Sequence, residues 1–116
     1  MAAVASTKVN RYTNTVEYYG AEMTAVDDWF EVGAHASEYT FAVLVTGGAN
    51  FKLALECGCA ESATWFTIDT SKTINSNGTY TYPYTGRASS RIRVRIEEIS
   101  SGTPSVTPLI AVAYHG

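Results

Sequence analysis

The chain reads as an all-β protein, an antiparallel β-sandwich or jelly-roll-like fold of about eight strands with little or no helix. Apolar and polar residues alternate with a period of two in "FKLALEC" and "RIRVRIEE", the pattern of strands with one buried face. Glycine, proline and asparagine clusters punctuate these runs at short intervals. No segment sustains an amphipathic helical period for three turns; "AEMTAVDDWF" comes nearest.

Taken in order, residues 1–12 are mostly small or polar and read as a flexible arm, ordered only against a neighbour. Residues 13–116 form the single domain, with its first strands near 13–19 and 29–33. "FAVLV" places Phe41, Val43 and Val45 on one face, and Ala42 and Leu44 make the other face apolar too, as in a central strand covered on both sides. The glycines of "TGGAN" then turn the chain into a hairpin with "FKLALEC". There Phe51, Leu53, Leu55 and Cys57 point inward, and Lys52, Ala54 and Glu56 outward. "WFTIDTSKTI" gives a strand around Phe66 and Ile68, and Asn77-Gly78 is the dipeptide of a type I′ hairpin. Residues 91–99 and 106–115 complete the set, joined by "SSGTP". The predicted core comprises Phe41, Val43, Leu53, Leu55, Phe66, Ile68, Ile92, Val94, Ile96, Ile110 and Val112.

At 116 residues, 46% of them apolar and 16% charged, the composition is that of one globular domain. No stretch approaches the roughly 20 apolar residues of a membrane helix, and the start lacks a basic segment followed by an apolar run. The expectation is a soluble protein made without export, with no membrane partner. Cys57 and Cys59 read as free thiols, and His35 and His115 have no ligand spacing, so neither metal nor cofactor is expected. "GxSxG" and a phosphate-cradling glycine loop are both absent, and nothing assembles nucleophile, base and orienter. Asp27 and Asp28 are adjacent and point apart in an extended chain, so they read as a solvated turn rather than a catalytic pair.

Arg91, Arg93 and Arg95 share one face of a strand. Three roles are open to them. They pair across strands within the chain, for instance with Glu56; they meet carboxylates of a neighbouring protein; or, with Arg87, they bind phosphates. A net charge of -3 speaks against nucleic acid. Residues 1–40 carry six carboxylates, Glu22, Asp27 and Asp28 among them, against Lys8 and Arg11. Opposite patches suit contacts between copies, so Arg87, Arg91, Arg93, Arg95, Glu22, Asp27 and Asp28 are the candidate interface residues. Tyr80, Tyr82 and Tyr84 share a face in "TYTYPY", where Pro83 implies a sheet edge. They are either a sugar-stacking platform or a shield for the core with hydroxyls at its rim.

From residue 50 to 116, "NFKLALECGCAESATWFTIDT" followed by "TINSNGTYTYPYTGRASSRIRVRIEEISSGTPSVTPLIAVAYHG" resembles small β-sandwich virion proteins of tailed bacteriophages. Trp65, Phe66, Arg91, Arg93 and Gly102 carry the match. "CGCAESATW" departs from the acidic S-x-D-G turn of that family, so no cation role carries over. The resemblance implies a non-enzymatic virion structural protein, foremost a capsid decoration or cement protein. As such it would form homo-oligomers and bind the major capsid protein or another virion protein, having assembled in the host cytoplasm. The alternative it implies is a carbohydrate- or receptor-binding module of a tail or fibre.

Overall fold

A computed structural model describes residues 2–58 and 64–113, with the side chains of 34–37 and 86–89 left aside. Among these residues there are eight strands and no helix. They are β1 (Ser6–Arg11), β2 (Thr15–Gly20), β3 (Trp29–Thr46), β4 (Asn50–Gly58), β5 (Phe66–Thr67), β6 (Lys72–Ile74), β7 (Gly78–Ser101) and β8 (Ser105–Ala113). Every strand-to-strand pairing is antiparallel, in the order β1-β2-β8-β3-β7-β4-β5, with β6 also beside β4.

Strands β3 and β7, 18 and 24 residues long, exceed the usual strand and serve in both layers of the sandwich. The second half of β3 and the first half of β7 join β8, β2 and β1 in sheet I. Their other halves join β4, β5 and β6 in sheet II. Counting both halves of β3 and β7, ten strand segments make two antiparallel layers.

The register breaks between Gly33 and Glu38, where the sheet folds over. Five steps along β3 there match six along β7, from Gly33↔Arg91 to Glu38↔Thr85. The inward parity of β3 changes across this break: Phe30 and Val32 are buried before it, and Tyr39, Phe41, Val43 and Val45 after it. Both sheets thereby turn their apolar faces to one core, in which Phe30, Leu53, Leu55, Ile92, Val94 and Ile96 from sheet II meet Phe41, Val43, Val106, Ile110 and Val112 from sheet I.

Ten of the eleven predicted core residues are buried. Phe66 is the correction, at 57% exposure. Strand β5 ends at Thr67, so the alternation that would have turned Phe66 inward alongside Ile68 is not maintained. The predicted hairpins are also corrected. β3 does not pair with β4, nor β6 with β7; β7 and β8, read as joined by a turn, are not paired either. Each of these turns carries the chain from one sheet to the other. Gly47, Gly48, Gly78 and Gly102 do have positive φ, but Asn77 does not, so the type I′ turn is absent. Asn77 instead accepts a hydrogen bond from the Gly48 N–H at 3.0 Å, tying two inter-sheet connections together.

Residues 6–11, expected in a mobile arm, form the outermost strand of sheet I. Their side chains are mostly exposed, so backbone hydrogen bonds to β2 hold them. The Val4 N–H reaches the Trp29 carbonyl at 2.8 Å, and the Trp29 N–H reaches that of Ala2 at 3.1 Å.

Asp28 is the anchor of this end and corrects the solvated-turn expectation. It is only 9% exposed. Its carboxylate accepts the N–H groups of Ala2, Thr24 and Ala25 at 3.1, 3.0 and 2.9 Å. Burial alone would raise its pKa, but the hydrogen bonds outweigh burial and lower it from 3.8 to about 2. A depressed carboxyl adds stability above its ordinary pKa and loses it as the pH falls through the folded value. The contribution is on the order of 1 kcal/mol after allowance for solvent screening. Thermal melts between about pH 5 and pH 2 should therefore show a steeper acid loss for the parent than for Asp28→Asn.

Candidate functional site

Sheet II presents the arginine row on its outer face, and the chain's own carboxylates match it. The Glu56 carboxylate, 7% exposed, accepts Arg93 Nε at 2.8 Å and Arg95 Nε at 3.0 Å through Oε1, and Arg95 Nη2 at 3.3 Å through Oε2. Arg95 Nη1 also meets Asp27 Oδ1 at 2.7 Å, and Arg91 Nη1 lies 4.0 Å from Glu31 Oε2. The hydrogen bond that Arg95 donates to Glu56 is the foremost reason that the Arg95 pKa is raised. Register explains the convergence, because Arg93 is directly opposite both Glu56 on β4 and Glu31 on β3.

Two indoles cover this ladder. The Arg91 and Arg93 guanidinium carbons lie 4.4 and 4.1 Å from the Trp65 ring centroid, and Arg93 is 5.4 Å from that of Trp29. Trp29 Nε1 donates to Glu31 at 3.1 Å. Stacked and ion-paired guanidinium groups suit a partly desolvated sheet face. Of the three roles set out for the arginines, pairing across strands is the one present within the chain.

The acidic interface candidates are engaged as well. Glu22 accepts the Ser105 hydroxyl, Asp27 holds Arg95, and Asp28 is buried at the N-terminal anchor. Of these three, Asp27 is the one shown meeting an arginine of the row within the chain. The Arg87 side chain lies outside the described residues, as does Cys59.

Of the two roles open to the tyrosines, the structure shows the core shield. Tyr80, Tyr82 and Tyr84 pack against the core from the inner face of β7. Tyr84 lies against Phe41 with ring centroids 6.1 Å apart, and its hydroxyl donates to Asp69 at 3.0 Å. Tyr80 donates to the Ser76 carbonyl at 2.7 Å. Hydrogen bonds from Lys72, the Thr70 N–H and Tyr84 lower the Asp69 pKa to about 2. Pro83 does lie on a sheet edge, since residues 78–85 pair with β3 alone while β4 pairs with residues 91–101.

The outer face of sheet I is where the chain keeps an open surface, and sequence reasoning missed it. Ala42 and Leu44 were expected under a second cover, yet Leu44 is 51% exposed. Small side chains, Thr40 and Ala42 on β3 and Ala111 and Ala113 on β8, run down the middle of the face. Two shallow depressions lie end to end along them. One, of about 320 Å³, is walled by Thr15, Glu38, Thr40, Thr85 and Ala111. The other, of about 240 Å³, is bounded by Tyr19, Ala42, Leu44, Thr79 and Leu109. Tyr19 donates to Glu17 at 3.2 Å, and Lys8 Nζ sits 5.2 Å from its ring centroid. The signal was present in the alternate small residues of "TFAVLV" and "LIAVA".

Among the described residues, no group of three or more His, Cys, Asp or Glu side chains is arranged to hold a metal ion, and no helix is long and apolar enough to cross a membrane.

No family model and no curated protein matches the chain. Solved structures do. PirA is 14% identical with a TM-score of 0.51, over 91% of this chain and 97% of its own. PliG of Aeromonas hydrophila, a periplasmic inhibitor of g-type lysozyme, is also 14% identical with a TM-score of 0.51, over 96% of each chain. A carbohydrate-binding module, CBM4, matches at 10% identity and a TM-score of 0.42, over 94% of this chain and 74% of its own. At such identities, what the chain has in common with PirA and PliG is the β-sandwich fold.

Proposed function

We propose that the chain is a non-enzymatic binding module carried on a virion, of the tail or fibre kind, which holds its target on the outer face of sheet I. One observation carries this reading: among the described residues nothing covers the second apolar face of β3, while the opposite face of the sandwich is closed by its own ion pairs. An uncovered, partly apolar face with a few placed polar groups is the usual setting of a binding site. The virion setting rests on the phage resemblance of residues 50–116.

Capsid decoration is the second reading, favoured by β1. This exposed edge strand has its outer main-chain groups available for a strand of the major capsid protein to extend the sheet.

Retention of the purified chain on bacterial envelopes and on empty phage shells separates the two. Ala42→Arg, in mid-face, should weaken envelope retention by at least about tenfold, whereas Arg91→Gln should leave it intact. The binding-face reading is lost if Arg91→Gln abolishes retention and Ala42→Arg does not. Retention on shells alone, removed by a proline in β1, supports decoration instead.

A further inference from the structure

We infer that the trough on the outer face of sheet I takes an extended, uncharged oligosaccharide. This rests on the reading of that face as the binding face and names its ligand class.

Shape comes first. The two depressions lie along the strand direction, centred near Thr40 and near Val43–Leu44, so the site is a trough and suits a chain-like ligand. Its lining then divides by chemistry. At one end stand hydroxyls and a carboxylate, Thr15, Thr40, Thr85 and Glu38. At the other end stand the Tyr19 ring and the side chains of Leu44 and Leu109. A sugar ring is amphipathic in the same way, with an apolar face to lie on an aromatic or aliphatic surface and hydroxyls around its rim. A carboxylate has about four lone-pair sites and can accept two neighbouring hydroxyls together.

Charge and backbone exclude the other candidates. The charged side chains described on this face are Lys8, Glu17 and Glu38, and Lys8 already lies over Tyr19. Among these described charges carboxylates outnumber cations, which disfavours polyanions, whether nucleic acid or acidic glycan. A peptide strand would bind chiefly through main-chain hydrogen bonds at a sheet edge. Beneath the trough, β8 is already paired with β2 and β3, and β3 with β8 and β7, so its floor offers no such edge, and the free edge of residues 78–85 lies only at its rim. A ligand that binds through hydroxyls and ring faces needs none.

The test is calorimetric titration of the full chain with neutral gluco-, xylo-, manno- and galacto-oligosaccharides, with oligogalacturonate and a lysine-rich peptide as comparisons. At least one neutral series should bind with micromolar to millimolar affinity and should tighten as the chain lengthens. Ala111→Trp, which fills the trough, and Glu38→Gln, which weakens one acceptor, should each weaken it by about tenfold or more at an unchanged melting temperature. Phe66→Ser, on the distant β5, should leave it unchanged. No binding by any neutral series overturns the inference, as does preference for the anionic ligand or the peptide. If no sugar binds but Ala111→Trp still abolishes retention on envelopes, the binding face stands and the glycan falls. If sugar binding survives both trough variants, the site on this face is itself overturned.

Discussion

Replacing Glu56 by alanine is expected to cost about 3–5 kcal/mol and to lower the melting temperature by more than about 10 °C. The carboxylate is almost wholly removed from water and accepts hydrogen bonds from two guanidinium groups. Its loss leaves Arg93 and Arg95 partly buried beside Trp65 and Trp29 without their common counter-charge, although Arg95 keeps Asp27. Breaking a buried pair is far more damaging than exchanging the whole group for apolar residues. Glu56→Leu combined with Arg93→Met and Arg95→Met should therefore recover most of the loss. Thermal melts of parent, single and triple variants decide the matter. A single variant within 1 °C of the parent would contradict the buried-carboxylate account.

Phe41→Ala should be equally severe, at about 3–5 kcal/mol, the range for removing a core aromatic ring. Phe41 is fully buried in sheet I and touches Tyr39 and Tyr84, with ring centroids 5.8 and 6.1 Å away and near-perpendicular planes. Because Tyr84 also holds Asp69 in the β5–β6 connection, the ring links β3 to the far end of the sandwich. Urea unfolding should show a lower midpoint with an unchanged slope, the signature of lost stability rather than an altered denatured state. Near-ultraviolet circular dichroism should lose intensity as the tyrosine packing loosens.

The inward rows of β3, β4, β7 and β8 were legible in the sequence because a period of two marks them whatever lies beyond. Connectivity was not, since a glycine turn between two strands looks the same whether it closes a hairpin or passes between layers. "TGGAN" and "SNGT" both do the latter. The site was misjudged for a related reason. An apolar outward row such as Ala42 and Leu44 signals a cover, and only the structure shows that no described element supplies one. For the arginines, alternation put them on one face, but the choice between neighbour and self turned on the register that brings Glu56 opposite Arg93. That register is set partly by bulges near Asn50 and Lys52, which leave no mark in the sequence pattern.

Strands β3 and β7 pass through both sheets, and this decides how the molecule comes apart. In a sandwich whose layers are joined only by loops, one sheet can fray while the other persists. Here Trp29↔Arg95 and Val45↔Gly78 are rungs of one ladder, with β4, β5 and β6 between its two strands in sequence and stacked beyond β7 in space. Melting either end strips the same two strands of partners in the other layer, so local openings are confined to β1, β5 and the turns. A target gripping the outer face of sheet I thus pulls on both layers at once, and the module yields to force as a single cooperative unit.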